Sequence, residues 1–155
     1  MIETIIAMAA LATAEFCAEP IEGGLGEPQF CRFEHVQTIH TPWFSVDVPP
    51  ALLAGVDQSG RRLMALATLR QSAVSVSILA SEMRAWSGCR VGESELVIGG
   101  MTWSLCDEST PGTVQRRLTA SVEDGYLSVF YSYPESGTMY AEPIQQLLRS
   151  IRVLP

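Results

Sequence analysis

The chain has 155 residues, of which 47% are apolar, and a formal net charge of −7. That length suits one domain with a real core, and the apolar fraction excludes a wholly disordered chain. No apolar run is long enough to cross a bilayer, and the acidic balance argues against nucleic acid, whose phosphates need a basic face.

All ten basic residues are Arg, and Lys and Asn are absent, as expected of a GC-rich bacterial coding sequence. Residues 1–34 hold six Glu against one Arg, and the remainder holds eleven acids against nine Arg. The acidic leader is either a docking segment for a basic partner or a solvated stretch. Residues 5–14 resemble the hydrophobic region of a secretory signal and end in Ala12-Thr13-Ala14, a cleavage pattern. Glu3 stands where a signal carries Arg or Lys, and an N-terminal amphipathic helix is the alternative. The expected organisation is a signal segment over 1–14 and a single α+β domain over 15–155, with an acidic arm at 15–42 and a core at 43–155.

Residues 18–34, rich in Glu, Pro and Gly, predict a loop, and Gly23-Gly24-Leu25-Gly26 lacks phosphate-loop spacing. A short strand is expected over 35–39. Phe44, Val46 and Val48 alternate until Pro49-Pro50 stop them. Residues 51–55 allow one or two helical turns. Leu63, Ala65, Ala67 and Leu69 line a strand, Val74, Val76 and Ile78 the next, and 81–92 is a polar loop. Met101, Trp103 and Leu105 alternate, 107–112 reverse the chain, and Val114, Leu118, Ala120 and Val122 resume the period. Glu123-Asp124-Gly125 supplies a hairpin turn before Leu127, Val129, Tyr131 and Tyr133. Thr138 suits an N-cap, Pro143 an early helical turn, and Ile144, Leu147, Leu148 and Ile151 one helical face. The expected fold is an antiparallel sheet packed against a C-terminal helix.

Four cysteines fall as two local couples, Cys17 with Cys31 and Cys89 with Cys106. Two disulfides, and hence export to the periplasm or medium, are the expectation. Zinc and four buried thiols are the alternatives, although no C-x-x-C occurs.

Only His35 and His40 can act as bases near neutral pH, and no hydrolase or metalloprotease signature accompanies them. Glu93 with Glu95, and Asp107 with Ser109, share strand faces without marking an acid–base pair, and Asp107-Glu108 lacks the calcium-loop pattern. No catalytic residue, metal site or cofactor is therefore expected. Trp86, Tyr126, Phe130 and Tyr140, with Arg84 and Arg90, have the composition of a protein-binding hot spot. An N-terminal arm that covers the second sheet face is the alternative.

The segments Phe44-Ser45-Val46-Asp47-Val48-Pro49, Ile98-Gly99-Gly100-Met101-Thr102-Trp103 and Leu148-Arg149-Ser150-Ile151-Arg152 together resemble the PsbP-like superfamily, which includes the Mog protein and the bacterial DcrB group. The resemblance spans about residues 43–155 and implies an antiparallel sheet flanked by helices in a non-enzymatic adaptor. A shorter polar loop after Ile78 and the cysteines depart from it. The function expected is an exported binding module acting by contact with another protein, as an accessory, inhibitor or immunity-type protein. A carrier of a small apolar ligand and a small hydrolase using His35 or His40 are the alternatives.

Overall fold

A computed structural model describes the backbone of residues 14–18 and residues 29–68, 73–86 and 88–154. The signal-like stretch lies outside the described residues except for Ala14. In chain order the strands are β1 (Ala14–Ala18), β2 (Phe30–Phe33), β3 (Gln37–His40), β4 (Phe44–Val48), β5 (Leu53–Val56), β6 (Arg62–Leu66), β7 (Ser75–Ser81), β8 (Ser94–Ile98), β9 (Met101–Asp107), β10 (Thr113–Val122) and β11 (Gly125–Pro134). Helix α1 (Ala141–Arg149) and β12 (Arg152–Val153) close the chain. Nine strands form one sheet in the order β1-β2-β5-β6-β7-β11-β10-β9-β8, and β12-β4-β3 form a second. The described ladders are antiparallel, so the fold is mostly antiparallel β with one short C-terminal helix, an α+β arrangement.

Alternation along the strands divides the large sheet into two unlike faces. Leu63, Ala65, Val76, Ile78, Trp103, Leu118, Ala120, Leu127 and Val129 point to one side and are at most 5% exposed. Phe44, Val46 and Val48 of β4 and Ile144, Leu147 and Leu148 of α1 complete the same cluster. The small sheet and the helix thus cap one face of the large one. Ser150 fastens this layer: its hydroxyl donates to the Leu147 carbonyl at 2.7 Å and accepts the Asp47 N–H at 2.8 Å.

The structure corrects three local expectations. Residues 53–56 form a strand, not helical turns. Pro49 and Pro50 end β4, the Leu52 N–H closes a turn onto the Pro49 carbonyl at 3.1 Å, and the chain then pairs with β6 from Leu53↔Leu66 to Val56↔Leu63. Tertiary pairing overrides the helical preference of Ala51-Leu52-Leu53-Ala54. The loop expected over 18–34 ends in β2, whose Phe30 and Phe33 are buried. Strands β2 and β3, and all of β1 but Ala14, lie within the stretch read as an acidic arm. Thr138 opens a 3₁₀ turn rather than capping the helix: the Ala141 N–H donates to its carbonyl, and Tyr140 takes the N-cap position without a side-chain bond. Pro143 does fall in the first turn of α1.

Because Leu147 is fully buried between sheet and helix, Leu147→Ala lowers unfolding free energy by about 2–5 kcal/mol. Urea titration followed by circular dichroism measures the loss.

Candidate interaction face

Strand order forces an unusual connection. Strands β11, β10 and β9 separate β7 from β8, so residues 82–93 must travel across three strands. They cross on the face turned away from α1. Trp86 lies over the Arg117 guanidinium, 5.3 Å from it to the ring centroid, and Cys89 is bonded to Cys106 with Cα atoms 5.8 Å apart. This strap is thus held by a covalent bond to β9 and a cation–π contact to β10, worth about 0.5–2 kcal/mol.

The side chains beneath it follow from register. Ser77, Phe130, Arg117 and Cys106 stand directly opposite one another across β7, β11, β10 and β9. The neighbouring row runs through Leu79, Ser128, Thr119 and Ser104. Small hydroxyl residues leave room for a chain to pass close to the sheet, and Ser128 and Thr119 are 1% and 7% exposed. Arg117 is the charged centre of the face. One of its terminal nitrogens donates to the Glu108 carboxylate and lies 3.6 Å from Cys106 Sγ. Among the described residues its Nε, the Ser128 Oγ and, on the core side, the Trp103 Nε1 are buried without a protein hydrogen-bond partner.

The expected binding residues separate into groups. Trp86 and Phe130, both half-buried, flank Arg117. Arg84, on the strap, pairs with Glu93 at 2.8 Å, and Arg90 is exposed. Tyr126 shares this face but lies at the far end of β11, where it lines a cleft of about 280 Å³ with Trp43, Arg61, Glu82, Glu123 and Asp124. In that cleft Arg61 stacks over Trp43 at 4.3 Å. Tyr140 is on the opposite side of the sheet and packs against the core at the start of α1. Arg117 and Glu108, central to the face, were not expected from residue types. The signal for Arg117 is its register opposite Phe130, set by the Glu123-Asp124 turn.

Of the expected cysteine couples, Cys89–Cys106 is a disulfide. Cys31 is also disulfide-bonded, and its register partner on β1 is Cys17. His35 and His40 are both exposed, one just before β3 and one at its end. No cluster of three or more His, Cys, Asp or Glu suited to a metal ion occurs among the described residues. Asp107 and Glu108 point to opposite faces, where Arg116 at 3.1 Å and Arg117 respectively neutralise them. No described helix is long and apolar enough to cross a membrane.

No family model matches this sequence, and no curated protein matches it. A solved structure from Bacteroides thetaiotaomicron VPI-5482 is similar, with a TM-score of 0.56 at 12% identity over 78% of this chain and 49% of that one. The chain therefore spans about half the length of that structure. At this identity the likeness is one of fold.

Two predictions follow from the geometry. Replacing Cys89 and Cys106 together by Ser removes a closed loop worth about 3 kcal/mol. Hydrogen exchange should then show amides 88–93 losing protection at denaturant concentrations where β10 and β11 remain protected. The second concerns Asp107, whose carboxyl sits below its usual range because Ser109 hydrogen-bonds to it and Arg116 lies beside it. A lowered folded pKa contributes stability above the unfolded value, about 3.9, and loses it as pH falls through the folded one. The side chain is 43% exposed, so Asp107→Asn costs under about 1 kcal/mol at neutral pH. In thermal unfolding, the gap between the variant and the parent closes as pH drops below about 4.

Proposed function

We propose that this chain is an exported, non-enzymatic binding module that works by contact with another protein through the strap-crossed face. The observation that carries the reading is Trp86 held over Arg117, beside Phe130, by the Cys89–Cys106 bond. Trp and Arg are the residue types that dominate protein interfaces, and a strap fixed before encounter loses little ordering entropy on binding. The disulfide suits an oxidising compartment, which supports export. We carry the PsbP-like kinship as part of the same reading. What supports it is the antiparallel sheet backed by a C-terminal helix and a closing strand, the order expected from the three resembling segments.

A photoreactive benzoylphenylalanine at position 130 tests the reading in the exported fraction of the source cells, with the same group at Thr38 on β3 as control. One specific adduct should form at position 130, and Trp86→Ala should reduce its yield at least about tenfold with folding unchanged. Equal labelling from both positions, or a yield indifferent to Trp86→Ala, refutes the assignment.

A further inference from the structure

Strand β8 ends the large sheet, and no described strand pairs with its outer side. It reaches β9 through a two-residue turn, Gly99-Gly100, with φ of 60° and 81°, the signature of a type I′ hairpin. In such a hairpin Ile98 and Met101 form the hydrogen-bonded pair. Alternation then turns the backbone N–H and C=O groups of Glu95 and Val97 outward. Val97 is 67% exposed. The strand has no proline, lysine or bulge, and its one charged side chain is Glu95.

A groove lies on each side of this edge. On the strap side, Glu93, Ser94, Glu95, Thr102, Ser104 and Ser121 line about 540 Å³. On the helix side, Leu96, Ile98, Leu105, Arg116, Tyr131 and Arg149 line about 460 Å³. A strand added to β8 would drop alternate side chains into the two grooves. Charge decides which side chains fit. Arg116 and Arg149 are already paired with Asp107 and Glu142, at 3.1 Å and 2.9 Å, so the helix-side groove offers Leu96, Ile98 and Leu105. On the strap side Glu93 is paired with Arg84, whereas Glu95 has no ion-pair partner among the described residues. A second copy is a poor occupant: antiparallel pairing of β8 with itself about Leu96 places both Glu95 carboxylates on one face, between chains that each carry −7.

We infer that the β8 edge binds an extended segment of a partner protein by strand addition, a segment in which basic residues facing Glu95 alternate with apolar residues facing Leu96 and Ile98. This rests on the protein-contact reading above and adds to it the chemistry of the partner.

The test uses the full chain and an alternating Arg–Val octapeptide, with a Glu–Val octapeptide for comparison, in titration calorimetry and hydrogen exchange. The Arg–Val peptide should bind, slow exchange at the amides of Glu95 and Val97, and exceed the Glu–Val peptide by at least about tenfold in affinity. Val97→Pro removes an outward N–H that makes no ladder bond, so it should leave the thermal midpoint nearly unchanged and weaken binding about tenfold or more. Glu95→Arg leaves the backbone intact and should reverse the preference between the two peptides. Binding unaffected by Val97→Pro in the folded variant, or indifferent to Glu95→Arg, overturns the inference. So does a dimer in sedimentation that Val97→Pro dissociates, since the edge then belongs to a second copy. If Trp86→Ala abolishes the crosslink at position 130 while Val97→Pro leaves peptide binding intact, the strap face stands and the edge falls.

Discussion

The ten-residue registry between β10 and β11 is the constraint on which the other features depend. It is set at the Glu123-Asp124 turn, where Gly125 has φ 150° and a Cβ would come within 2.3 Å of the Ser81 carbonyl. A one-residue slip of β10 against β11 would turn Leu118 and Ala120 to the open side and drive Arg117 and Thr119 under the helix. Exposing Leu118 alone forfeits about 1.5–3 kcal/mol, and Arg117 would be buried in its place, so the slipped register is strongly disfavoured. The same parity that builds the core therefore builds the polar face. Neither face could be changed without the other.

Strand order then converts that face into a platform. A chain leaving β7 and re-entering at β8 cannot pair with the strands that it crosses, because their edges are already used by their neighbours. Residues 82–93 lack a ladder and need other attachments. The attachments to the sheet are one covalent bond at Cys89 and one ring over a guanidinium at Trp86, and an ion pair from Arg84 to Glu93 ties the strap's two ends together. Of these the disulfide acts mainly by removing freedom from the unfolded chain, while the other two act in the folded state. Arg117 takes part in both attachments to the sheet, touching Trp86 and Cys106 Sγ. That shared position explains why a largely buried guanidinium, 17% exposed, is retained beside an acid instead of an aliphatic residue.

Period-two alternation made about half of the strands legible in the sequence: β6, β7, β9, β10 and β11 of the large sheet and β4 of the small one were all visible as alternating runs of apolar and polar residues. The opposition of Arg117 and Phe130 was not legible, because the turn read as Glu123-Asp124-Gly125 would place Arg117 opposite Tyr131, whereas Gly125 already pairs with Val122. Strand β5 was not, because Leu53-Ala54-Gly55 is buried on both sides and so carries no alternation. Trp86 above Arg117 was hidden for a different reason. It depends on which strands intervene between β7 and β8, and no local pattern encodes strand order. Tyr140 was placed with Tyr126 and Phe130 outside the inferred core face, whereas the 3₁₀ turn swings it onto the core on the opposite side of the sheet.

Continuity between the strap and the sheet edge links the two surfaces energetically. Glu93 ends the strap and pairs with Arg84 near its beginning, and Ser94 starts β8 one residue later. Displacement of the strap would move Glu93 and the entry to β8, and with them the backbone groups of Glu95. The Cys89–Cys106 bond lies within this path, three residues beyond Trp86 and four before Glu93. Its bond holds the strap at a fixed distance from β9, the strand against which β8 itself is paired. A partner at either proposed surface would meet a backbone whose freedom is already restricted, which would lower the ordering cost at both. A sheet that buries one face in its own core has one face and its edges left for others, and here a single tethered segment organises both.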